Sequence, residues 1–110
     1  MTTTLDVTVR VDEGRATLTL TGDIDGRARE SFDRAYVDAG TSGATSLRLD
    51  FTRVAYINST GIALIVGLLG RARADHVPVS AHGLSDHYRE IFEITRLSDF
   101  ITIDDEESER

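Results

Sequence analysis

The residues of this chain best placed to do chemistry are Asn58-Ser59-Thr60-Gly61. They follow Leu47, Leu49 and Phe51, which alternate as a strand does, and they precede the aliphatic run that opens at Ile62. The tetrapeptide therefore sets a hydroxyl in the first turn of a helix, just past the C-terminal side of a strand, where ligands and modifications collect in α/β sheets. A phosphoryl group on Ser59 would face free backbone amides and the positive helix end, a stabilisation of about 0.3 to 1 kcal/mol, or about 2 kcal/mol where partly buried. Spacing alone fits a plain cap equally well, with Asn58 and Ser59 satisfying the first amides of the helix. The same residues match the N-glycosylation pattern, but Met1-Thr2-Thr3-Thr4 carries no basic segment followed by an apolar one, so neither export nor glycosylation is expected.

A second candidate is the pair Asp23 and Asp25 in Gly22-Asp23-Ile24-Asp25-Gly26. Two carboxylates at a strand end suit a hard cation. Helix capping by Asp25 accounts for the pattern without a metal, and none is expected. His76, His82 and His87 show no metal-binding spacing, and the absence of Cys leaves no thiolate to complete a zinc shell. All 12 basic residues are Arg, which excludes Schiff-base catalysis and the phosphate-binding lysine of a P-loop. No nucleophile elbow, dinucleotide-binding glycine loop or Walker motif is present. Hydrolase and nucleotide-driven readings thereby lose their strongest evidence, and no cofactor is expected.

The elements that must position these residues follow from hydrophobic periodicity. Leu5, Val7, Val9 and Val11, then a turn at Asp12-Glu13-Gly14, then Ala16, Leu18 and Leu20 predict a β-hairpin with one buried face. Ala28, Phe32, Ala35, Tyr36 and Ala39 recur at helical spacing behind Asp25, and Gly40 to Gly43 close that unit. Leu47, Leu49 and Phe51 predict a short strand, with Thr52 to Ile57 as the lead into Asn58. The helix after it, from Ile62 to Leu69, is apolar around most of its circumference, which predicts burial on more than one side. Val77, Val79 and Ala81, opened by Pro78, predict a fourth strand, with the proline marking an edge or the first residues. Ser85 caps a third helix carrying Tyr88, Ile91 and Phe92, and Phe100, Ile101 and Ile103 form a last strand. The order β-β-α-β-α-β-α-β predicts an α/β fold with a mixed, mostly parallel sheet joined by right-handed crossovers.

At 110 residues and 40% hydrophobic content the chain makes one domain, with a core from about residue 5 to 103 and an acidic tail over 104–110 that is expected to fray. A net charge of -7 with no Arg cluster argues against nucleic acid and anionic membranes as partners. The longest apolar stretch, Ile62 to Leu69, falls well short of the ~20 residues that span a bilayer, so a cytoplasmic protein is expected.

Gly22-Asp23-Ile24-Asp25, the strand residues Leu47 to Val54, and Tyr56-Ile57-Asn58-Ser59-Thr60-Gly61-Ile62-Ala63 together resemble the STAS domain of bacterial anti-sigma-factor antagonists, and Ile91 to Leu97 resembles that family's third-helix signature. The resemblance runs from Leu5 to Ile103. It implies a cytoplasmic switch that is not an enzyme and that binds an anti-sigma factor when unmodified, releasing a sigma factor. The anti-sigma factor in such systems is also a serine kinase using ATP and Mg2+; it would phosphorylate Ser59, and a phosphatase would reverse the step. The implied partner surface comprises Asp23, Asp25, Ile57, Asn58, Ser59, Thr60 and Gly61. Family members usually have Asp where this chain has Asn58, which removes a carboxylate beside the phosphoacceptor and bears on kinase recognition. It also commonly ends in a further helix, for which Asp104 to Arg110 is short and acidic. The alternative is a constitutive STAS scaffold subunit of a transporter or signalling complex, without phosphorylation. Nucleotide binding at the Asp25 and Ser59 surface is a third reading, with no Lys or glycine-rich loop to hold a triphosphate.

Overall fold

The computed structural model describes residues 4–104. Strands β1 (Asp6–Asp12) and β2 (Arg15–Ile24) pair antiparallel with Val9 opposite Leu18 and Asp12 opposite Arg15. The two residues between them, Glu13 and Gly14, both take positive φ (51° and 83°), the conformation a two-residue hairpin loop demands. From β2 onward the pairing is parallel: β2 with β3 (Ser46–Ile57), β3 with β4 (Val79–His82), and β4 with β5 (Thr102–Asp104). Spatial order equals chain order across the five strands. Each crossover therefore steps the same way across the sheet, and right-handed connections put α1 (Arg29–Thr41), α2 (Ser59–Ala74) and α3 (Asp86–Ile94) on one face.

Burial shows the same one-sidedness. Ala16, Leu18, Leu20, Leu47, Leu49, Phe51, Val79 and Ala81 are buried beneath the helices, while Thr17, Thr19, Arg48, Asp50, Ser80 and His82 alternate with them on the other face. Leu18, Leu20, Ile24, Leu49, Ile65 and Phe92 are the largest side chains wholly out of solvent. Phe92 of α3 meets Phe51 of β3 edge to face, with ring centroids 5.9 Å apart, which ties the last helix to the central strand. Tyr36 of α1 donates its hydroxyl proton to Asp75, just past α2, at 2.6 Å, and the Arg71 guanidinium lies 4.4 Å from its ring centre.

Three expectations need correcting. First, α2 buries Gly61, Leu64, Ile65, Leu68, Leu69 and Ala72, a single stripe, and leaves Ala63, Val66 and Gly67 exposed. With all helices in one layer, no other element among the described residues covers its outer side. Second, β3 continues to Ile57 because its pairing with β2 survives two register shifts, between the partners of Thr19 and Thr21 and between those of Gly22 and Asp23. Each shift inserts a residue and breaks the alternation by which a strand is recognised. Third, β5 starts only at Thr102, and Phe100 lies outside it, half exposed, with Arg73 5.0 Å from its ring centre. Pro78 immediately precedes β4, an interior strand, and its carbonyl accepts from Leu47 N at 2.9 Å. Of the acidic tail, Asp104 closes β5, and residues 105–110 lie outside the described part.

Candidate functional site

The C-terminal ends of β2 and β3 lie side by side, with Ile24 opposite Ile57. Asn58 follows in extended conformation (φ -97°, ψ -179°) and caps α2: its Oδ1 accepts from Gly61 N at 2.8 Å and its carbonyl accepts from Ile62 N at 2.9 Å. Asn58 N donates across to the Ile24 carbonyl at 3.2 Å. Capping is thus performed by Asn58, which leaves the hydroxyl of Ser59 out of it. Ser59 and Thr60 are exposed in the first turn.

Gly61 is buried, and a Cβ built on it would press into the Ile24 carbonyl, 2.7 Å from its carbon. Only a residue without a side chain lets the start of α2 sit this close to the end of β2. The glycine thereby holds Ser59 beside the loop that follows β2. In that loop a Cβ on Gly26 would lie 3.4 Å from Thr60 Cγ2, so the two segments form one continuous surface.

The loop's own geometry is set by Asp25. It caps a single 3-10 turn, Gly26–Ala28, which runs directly into α1, and its Oδ1 accepts from Arg27 N at 3.0 Å. The expected capping role therefore falls on this turn and not on α1 itself. The Arg27 guanidinium wraps the carboxylate, with Nε 3.1 Å from Oδ1 and Nη2 2.8 Å from Oδ2, and reaches Thr4 Oγ1 at 3.1 Å. The Arg27 side-chain hydrogen bonds, then the Arg27 amide, hold the Asp25 carboxyl below the usual carboxylate range, and the same pairing raises Arg27. Asp25 is thus a charge fixed in place by Arg27, a partner two residues on that the reading of the sequence does not single out.

Of the seven residues expected at this surface, all gather within the two strand ends and the first turn of α2. Asp25 and Asn58 are partly covered, Ser59 and Thr60 stand out, and Asp23, Ile57 and Gly61 are buried, shaping the surface from beneath. No group of three or more His, Asp or Glu side chains among the described residues could hold a metal ion. A cleft of about 280 Å³ between α1 and α2 opens beside Thr60, floored by Phe32, Leu64 and Leu68 and edged by Arg29, Asp33 and Arg71.

One contributor is hidden within α3. Tyr88 reads as one of that helix's apolar residues, yet its hydroxyl accepts from Ile57 N at 2.9 Å, one residue before the cap. A tyrosine on the inward side of a helix signals such a contact, because its oxygen needs a partner once the ring is covered.

A family model described as "Mlab, STAS domain" matches residues 7–103. Among curated proteins, the anti-sigma-B factor antagonist of Listeria monocytogenes is 43% identical over 63 residues, covering 57% of this chain and 55% of that protein. The chain thus matches about half the length of this relative. Among solved structures, the phosphorylated form of the Bacillus cell fate determinant SpoIIAA superposes with a TM-score of 0.69 at 20% identity, covering 94% of this chain and 95% of that one. An anti-sigma factor antagonist from Mycobacterium paratuberculosis gives a TM-score of 0.69 at 17% identity, with 91% and 85% covered. At these identities the structural likeness is one of fold. With the family model covering almost the whole described chain, over the strand ends and helix start just described, this chain belongs to the STAS domain family.

Proposed function

We propose that this protein is an anti-sigma-factor antagonist, a cytoplasmic binding protein and not an enzyme, that grips an anti-sigma factor through the Asp25 loop and the start of α2 and is switched off by phosphorylation of Ser59. The anti-sigma factor is the serine kinase in this reading, and a phosphatase restores the active form. The observation that carries it is the placement of Ser59: an exposed hydroxyl in the first turn of α2, left out of the capping by Asn58 and adjoining the Asp25 loop.

Phosphorylation adds a charge of about -1.5 to -2. Held against a partner's carboxylates or apolar surface, that charge costs affinity by repulsion and desolvation. A thousandfold loss requires about 4 kcal/mol, within reach of one mismatched phosphate. The test incubates the protein with a kinase-type anti-sigma factor from its own genome and ATP, followed by mass spectrometry. One phosphoryl group on the wild type and none on Ser59→Ala is the expected result. Equal modification of both, or of neither, overturns the switch.

A second reading, a constitutive scaffold subunit, is favoured by Asn58, which leaves no carboxylate next to Ser59 along the chain. Transporter subunits in place of a kinase among the neighbouring genes would support it.

A further inference from the structure

We infer that Tyr88 is a positioning residue for the start of α2, its hydroxyl standing in for the strand that β3 lacks beyond Asp50. Partners of β4 on β3 run only from Leu47 to Asp50, the last opposite His82. The chain then turns away at Gly83, whose φ of +79° and closeness to Thr52 admit no side chain. From Arg53 to Ile57, β3 has β2 along one edge, and along the other a cleft whose far wall includes Gly83, Ser85 and Tyr88. At the end of that stretch Ile57 N–H donates to Tyr88 Oη at 2.9 Å, and the same oxygen lies 3.5 Å from the Ile57 carbonyl oxygen, at the outer limit of a hydrogen bond.

Ile57 and Asn58 are therefore held from two sides: by the Ile24 carbonyl accepting from Asn58 N, and by Tyr88 accepting from Ile57 N. Tyr88 is itself fixed. Its amide is capped by Ser85 Oγ at 3.2 Å, its ring meets that of His87 with centroids 4.9 Å apart, and its helix is tied to the core through Phe92 and Phe51. A phenylalanine at 88 would fill the same space but leave the Ile57 amide, part-buried, without its acceptor. Asn58 would then swing about its remaining tie to β2, and with it the helix cap that sets the direction of Ser59. Phosphoryl transfer is sensitive to such orientation, because the attacking oxygen must meet the phosphorus in line. The kinetic consequence rests on the Ser59 reading above; the anchoring of Ile57 does not.

The test is Tyr88→Phe in the full chain, read by amide hydrogen exchange in NMR. Ile57 and Asn58 are expected to exchange at least about tenfold faster, with Leu18 and Leu49 unchanged as core references. Ser85→Ala serves as the control, since it weakens the cap of α3 but keeps the hydroxyl; it is expected to leave Ile57 protected. With the cognate kinase, Tyr88→Phe is expected to lower kcat about tenfold and to change KM by less, because the Asp25 loop still meets the partner while the aim of the hydroxyl is lost. Unchanged Ile57 exchange in Tyr88→Phe, or an equal rise in Ser85→Ala, overturns the inference. Faster Ile57 exchange with unaltered kcat also overturns it as an account of Ser59. Should the wild type take no phosphate, the switch reading fails, and the exchange result alone decides whether Tyr88 anchors the helix start. If Tyr88→Phe does not fold, the wild-type Ile57 amide decides: protection equal to the core amides supports the anchor, and exchange at the rate of an exposed loop removes it.

Discussion

Gly61 and Asp25 show how single residues determine whether Ser59 is presented at all. Gly61 has no room for a methyl group because its neighbour is backbone, the Ile24 carbonyl, which cannot turn aside as a side chain would. Gly61→Ala is therefore expected to cost about 1 to 3 kcal/mol in urea unfolding, an overpacking penalty concentrated at the junction of β2 and α2. A loss below about 0.5 kcal/mol would mean that the helix can retreat from the strand without cost. Asp25 makes a different prediction, one of pH. Its folded-state pKa lies below the unfolded value because of Arg27, so its contribution to stability is present above the unfolded pKa of about 3.9 and is lost as pH falls through the lower folded value. Arg27→Ala should move the Asp25 titration midpoint, followed by carboxyl carbon NMR, upward, with the residue-27 amide retaining part of the lowering. The stability gap between wild type and variant should also narrow as pH falls through that window. An unmoved midpoint would show that the carboxylate owes nothing to its arginine.

Among the elements, α2 carries the most weight and is also where the pattern of residues misleads. A helix with Ile62, Ala63, Leu64, Ile65, Val66, Leu68 and Leu69 looks apolar all round, yet Ile65 is wholly buried while Val66, one position on, is 46% exposed. Ile65→Ala is expected to cost about 2 to 5 kcal/mol, as for other buried aliphatic truncations, and Val66→Ser to stay within about 0.5 kcal/mol. Similar losses from the two would mean that a further layer covers the helix. The exposed side of α2 is continuous with Ser59 and Thr60, so the apolar residues that packing does not use adjoin the surface proposed above to meet a partner. Strand β3 is the complementary case. Its second half is hard to read because the two register shifts destroy the period of two, and the result is that Tyr56 faces solvent while Ile57 is buried just before the cap.

Across the whole molecule, the helices form one layer on one face of the sheet, and the strand ends that feed α1 and α2 meet at one margin. The switch proposed here needs no rearrangement of that body, since a charge added to a rigid interface is sufficient to disrupt it. Ser59→Asp, an imperfect mimic of a phosphate, is accordingly expected to leave the unfolding midpoint unchanged and to weaken binding of the anti-sigma factor at least about tenfold, about 1.4 kcal/mol, in calorimetry. Unaltered affinity would take Ser59 out of the interface. No helix among the described residues is long and apolar enough to cross a membrane.

Element order, the hairpin and the capping residues Asn58 and Ser85 could all be recognised in the chain before folding, because alternation, helical spacing and side-chain capping are local effects acting over a few residues. The family motif around Ser59 was legible for the same reason. The one-sided burial of α2, the full length of β3, the grip of Arg27 on Asp25 and the reach of Tyr88 to Ile57 emerged with packing. Each depends on which surfaces and backbone groups the folded sheet brings together, in the last case 31 residues apart along the chain, and no local pattern records that.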